Sequence, residues 1–188
     1  MEAISRDDEQ ALTRLVQAVG PSILRFVRRT VGGSTAEAED IVQEVFIRVW
    51  KARRRWRPES AVTTYLYTIA ARLCMNRIRG WRRAPSILPL SASADEPEIG
   101  VCDGSPDPER MAISGKLREF MEREIDALPP GQKAALLLRH SEDLSQQEIA
   151  RVLEVSVAAV ESLLSRARAR LRSRLAPWVA EGTTRDRG

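Results

Sequence analysis

The stretch from residue 144 to residue 174 constrains this chain most, because it reads as a short capped helix, a tight turn and a longer helix ending in arginines. Ser145 is an N-cap residue type and Glu148 follows three positions later, so Ser145-Gln146-Gln147-Glu148 forms a capping box in which each end satisfies a free backbone donor. Ile149, Ala150, Val152 and Leu153 give this helix an apolar face, and Glu154-Val155 makes the turn. Ser156 then caps a second helix, with Val157, Val160 and Leu164 expected to point inward at helical spacing. Arg166, Arg168, Arg170, Arg172 and Arg174 follow with no acidic residue between them. Two helices joined in this way form a helix-turn-helix, whose second helix enters the DNA major groove while basic residues meet phosphates. The bland alternative is a helical hairpin with a solvated basic end. The register of both caps, the turn and the arginine run favours DNA binding.

The rest of the chain also reads as helix. No alternating strand run is bounded by turn signals, and 43% hydrophobic residues with few aromatics leave an all-α fold as the expectation. At 188 residues the chain has mass for one domain or two small ones. Its net charge of +4 conceals a segregated distribution. Basic clusters at 48–57, 77–83 and 166–174 contrast with acidic ones at 7–9, 37–44 and 95–109, which suits one surface for a polyanion and another for a protein partner. Cys74 falls in a helical segment and Cys102 in a predicted loop. That leaves a disulfide unsupported and a reduced cytoplasmic protein as the default. No apolar run approaches a membrane span and residues 1–8 lack a signal-peptide core, so direct membrane insertion is not expected.

Periodicity divides the chain into two small helical domains, 1–83 and 109–180, joined by a flexible linker over 84–108. Residues 7–31 read as two short helices broken near Gly20-Pro21, ended by Gly32-Gly33. Ser34-Thr35-Ala36-Glu37 is a second capping box, opening a helix through Trp50 with Ile41, Val42, Val45, Phe46 and Val49 on its buried face. Residues 53–64 read as a basic loop carrying Pro58, and a helix follows over 65–79. The linker holds Pro85, Pro89, Pro97, Pro106 and Pro108 among serine, glycine and acidic residues without periodicity. A helix over 109–128, a break at Pro129-Pro130-Gly131 and a helix to His140 precede the helix-turn-helix, and the tail beyond Ala180 is expected to fray.

Five segments in this order resemble the extracytoplasmic-function group of the bacterial sigma-70 family. Ala38-Glu39-Asp40-Ile41-Val42-Gln43-Glu44-Val45-Phe46 resembles the family's acidic Asp-x-x-Gln-Glu-x-Phe helix, and Tyr65-Leu66-Tyr67-Thr68-Ile69-Ala70 resembles its aromatic segment. Ala127-Leu128-Pro129-Pro130-Gly131 resembles the start of the family's C-terminal domain. The segments 144–150 and 159–168 resemble its helix-turn-helix. The resemblance implies a specificity subunit that binds core RNA polymerase, directs it to promoters and aids melting, with no catalytic residue, cofactor or metal of its own.

It also implies roles. Asp40, Gln43 and Glu44 would dock on the β′ clamp helices, although a solvated helix face explains the same charges. Arg53, Arg54, Arg55, Trp56, Arg57 and the following Tyr65 and Tyr67 would meet the −10 element, as melted DNA needs a positive groove and a stacking surface. Trp56 and Tyr65 equally suit packing under the loop. Arg72, Arg77 and Arg79 support backbone binding, although the helix departs from the family's Ala-Arg-Asn pattern at Ala70-Ala71-Arg72. In the second domain, which would also meet the β flap, Arg139, Glu161, Ser162, Ser165, Arg166 and Arg168 occupy positions that would face the −35 element. Many members carry a basic residue where this chain has Glu161 and Leu163. Glu161 either accepts from cytosine N4 or pairs with a neighbouring arginine. The acidic linker either mimics nascent RNA or serves as a solubilising tether. An anti-sigma factor is a further partner that the resemblance implies.

Two rivals are weaker. An operator-binding regulator working without polymerase explains the C-terminal half but not the acidic helix joined to an aromatic, basic segment. An enzyme acting on nucleic acid would need a metal-ligand cluster or activated nucleophile, and His140 is the sole histidine.

Overall fold

The computed structural model describes residues 2–55, 61–83 and 108–185. Its elements are α1 (Glu2–Ser5), α2 (Glu9–Val31), α3 (Thr35–Ala52), α4 (Val62–Arg83), α5 (Pro108–Asp126), α6 (Pro130–His140), α7 (Gln146–Leu153) and α8 (Val157–Arg185), with no strand among the described residues. The expected linker, apart from Pro108 at the start of α5, lies outside those residues, as do Trp56, Arg57 and Cys102.

Both capping boxes form. Ser34 accepts from the Glu37 N–H while Glu37 accepts from the Ser34 N–H, each at 3.3 Å. Ser145 accepts from the Glu148 N–H at 3.3 Å and its own N–H donates to Glu148 at 2.9 Å. Gly32 ends α2 in the left-handed conformation (φ 68°), its N–H donating to the Arg28 carbonyl.

The break expected at Gly20-Pro21 does not occur, and α2 runs unbroken through Pro21. An interior proline costs about 3 kcal/mol or more through its missing N–H and ring clash. Ile23, Phe26 and Val27 directly follow it and are buried to 2% exposure or less. Each such side chain contributes about 1.5–3 kcal/mol, so tertiary burial outweighs the local penalty. Helix α4 begins at Val62, three residues before its expected start, and α8 continues to Arg185, past the expected fraying point.

Helices α2, α3 and α4 pack on one another, and α5, α6, α7 and α8 form a second group. The two groups do not stand apart. Helix α4 packs on α7 and α2 on α6, so one buried cluster runs from Phe26, Val45 and Leu66 to Leu138, Ile149 and Leu164. A smaller cluster of Leu128, Leu136, Ala167 and Leu171 ties α6 to α8. Lys133 is buried and its ammonium pairs with Asp126 at 2.9 Å across the turn between α5 and α6.

Candidate nucleic-acid interface

On α3, the residues Ala38, Ile41, Val45, Phe46 and Val49 face the core. The opposite surface exposes Asp40 and Gln43, with Glu44 half-buried and paired to Arg48 at 2.7 Å. Among the described residues this face therefore carries the Asp40 carboxylate outside any ion pair, the neutral Gln43 amide and a Glu44 charge already balanced one turn on.

The basic segment after α3 is partly neutralised from within. Asp7 accepts from Arg53 and from Arg54, each at 2.5 Å, and the Arg53 guanidinium lies 4.0 Å over the Trp50 ring. These bonds, the one from Arg54 first, hold the Asp7 carboxyl below its ordinary value. Arg55 is exposed. No sequence signal connected Asp7 to residues 46 and 47 positions away.

Helix α4 displays Arg72, Arg77 and Arg79 on its exposed side. Arg77 pairs with Glu37 at 2.7 Å and Arg79 donates to Asn76 at 2.6 Å, while Arg72 pairs with Glu154 in the turn of the helix-turn-helix. Tyr65 is half-buried against the core. Tyr67 departs from the expected DNA-facing role. It is buried, its ring meets Phe26 edge-on at 5.4 Å, and its hydroxyl donates to Glu142. Burial and that carboxylate hold the phenol protonated, well above its ordinary value. Tyr65 and Tyr67 stand two positions apart, and the 200° rotation this implies on a helix places only one of them at the rim.

In the helix-turn-helix, Glu154 closes α7 in the left-handed conformation (φ 56°), its N–H donating to the carbonyls of Ala150 and Arg151. Such a residue other than glycine costs about 1–2 kcal/mol. Ser156 accepts from the Ala159 N–H at 3.2 Å and starts α8. Val160, Leu164 and Ala167 are buried as their spacing requires, but Val157 is 37% exposed. It occupies the first helical position, one turn before the buried Val160. Glu161, Ser165, Arg166 and Arg168 are exposed and Ser162 is half-buried. Arg139 is exposed and donates to the Leu144 carbonyl at 3.1 Å, fastening α6 to the entry of α7.

Along α8, sharing Arg168 with this surface, lies an apolar groove of about 930 Å³, lined by Ile125, Leu136 and Leu171 and by Arg29, Arg168 and Arg172. Arg29 comes from α2 and the rest from α5, α6 and α8. Cys74 is buried and free, its thiol pushed up to about 12 by burial. Among the described residues no group of acids, histidines or cysteines is arranged to hold a metal, and no helix is long and apolar enough to cross a membrane.

The family models for sigma-70 region 2 and sigma-70 region 4 match residues 15–84 and 121–171. The chain is 30% identical over 181 residues to the ECF RNA polymerase sigma-E factor of Escherichia coli, covering 95% of this chain and 94% of that one. It is 32% identical over 187 residues to the RNA polymerase sigma-H factor of Pseudomonas aeruginosa, covering 96% and 94%. Its fold resembles the sigma factor RpoE in complex with the anti-sigma factor NepR from Bartonella quintana, at 19% identity and a TM-score of 0.69 over 89% of this chain and 98% of that one. It also resembles CnrH in complex with the cytosolic domain of CnrY, at 21% identity and a TM-score of 0.63 over 93% of each. An all-helical chain whose two matched regions hold the acidic helix, the basic α4 and the helix-turn-helix, and whose near-full-length relatives are sigma factors, belongs to the extracytoplasmic-function group of the sigma-70 family.

Proposed function

We propose that this protein acts by binding alone: it docks on core RNA polymerase through the Asp40 and Gln43 face of α3 and directs the enzyme to promoters. The helix-turn-helix reads the −35 element through the outward side of α8. The −10 element meets Arg55, the rim around Tyr65 and the basic side of α4, where a backbone stripped of its complement needs positive charge. The observation that carries this reading is one chain presenting an exposed acidic helix, a basic α4 and an arginine-rich recognition helix. The work is done in the cytoplasm, where polymerase and promoters are. An anti-sigma factor is the natural occupant of the groove along α8. Arg29, Arg168 and Arg172 rim an apolar floor shared by both halves of the chain, so an amphipathic helix with acidic flanks would bind both halves together.

Run-off transcription with purified core polymerase tests the reading. Transcripts with defined start sites should require this protein and fall at least tenfold in Asp40→Lys, with the helix content of the variant unchanged. Duplex binding by the protein without core-dependent transcripts would favour an operator-binding regulator instead.

A further inference from the structure

The first turns of α8 carry unusual chemistry for a surface that approaches phosphates. The exposed positions before Arg166 are Val157, Ala158, Glu161 and Ser165, none of them basic. Glu161 has no neutralising neighbour on its helix: the positions three and four away are Ala158, Val157, Leu164 and Ser165. Among the described residues it enters no ion pair. A bare carboxylate there weakens attraction to the DNA backbone unless a base donor meets it. In the major groove cytosine N4 offers a donor, whereas adenine sets its N7 lone pair beside its own amine and repels a second acceptor. One turn earlier on the same face, Val157 and Ala158 present methyl groups, which suit the thymine C5 methyl.

Resting on the sigma-factor reading, we propose that Glu161 reads a cytosine in the −35 element and that Val157 and Ala158 read a thymine within one or two steps of it. The test is core-dependent run-off transcription from a library randomised across the −35 element, using the full chain and Glu161→Ala. The native protein should enrich cytosine at one position, and E161A should lose about tenfold of that preference while the other positions keep theirs. A uniform gain by E161A over all sequences would overturn the proposal, since the carboxylate would then act only by repelling phosphates. An unchanged base profile would overturn it too. Absence of core-dependent transcripts from the native protein would instead sink the sigma-factor reading. Glu161 is exposed, so the variant should melt at the native temperature.

Discussion

The Tyr67 hydroxyl of α4 donates to the Glu142 carboxylate in the loop before α7, joining two residues 75 positions apart at the seam between the halves of the chain. The other Glu142 oxygen is buried without a hydrogen-bond partner among the described residues. The bond therefore determines whether that carboxylate is half satisfied or not satisfied at all.

Tyr67→Phe keeps the ring against Phe26 but strips Glu142 of its donor. An orphaned buried acceptor costs about 1–3 kcal/mol. Urea unfolding should show a loss of that size, and Glu142→Gln combined with Tyr67→Phe should lose less than the two single changes added.

Acidification should tighten the seam. Burial lifts the Glu142 carboxyl above its ordinary value of 4.5, with the Tyr67 hydroxyl and Arg25 of α2 opposing only in part. A raised acid favours the folded, protonated form, so its contribution is complete below 4.5 and is lost as pH rises through the folded value. Glu148 is lowered by its bonds to Ser145 and acts in the opposite sense, with its contribution lost as pH falls below 4.5. Denaturation followed as pH falls toward 4.5 should show Glu142 increasing stability on the way down, and Glu142→Gln should flatten that slope.

Asp7→Ala should release Arg53 and Arg54 for DNA. With polymerase bound to the protein, affinity for single-stranded −10 DNA should rise. The slope of log affinity against log salt should steepen by about 0.7 for each phosphate gained. Fluorescence anisotropy across a salt series reads both effects.

Ser145→Ala removes the acceptor that caps α7 and should cost about 1 kcal/mol, whereas Ser145→Asp should cost less because aspartate also caps well. Chemical denaturation and −35 duplex affinity should fall together in the alanine variant, since α7 supports the start of α8.

Local chemistry was legible in the chain because caps and periodicity act within one or two turns. Ser34, Ser145 and Gly32 mark helix ends by satisfying backbone groups three or four residues away, and Val45, Phe46, Ile149 and Val160 reveal their faces by spacing alone. The same logic separated an all-helical chain from any sheet and set the arginines beside a helix-turn-helix. Other features depended on groups distant in sequence. Pro21 stays helical because the core rewards Phe26 and Val27, and Val157 is exposed at the first position of α8. Asp7 reaches Arg53 and Arg54, and Tyr67 turns from a surface residue into the donor to Glu142. Sequence by itself determined the capped helix ends and most of the apolar faces, since those choices are settled by neighbours along the chain. Only the tertiary structure decided which charged groups stay free for DNA, because ion pairing and burial depend on what folding brings within a few ångströms.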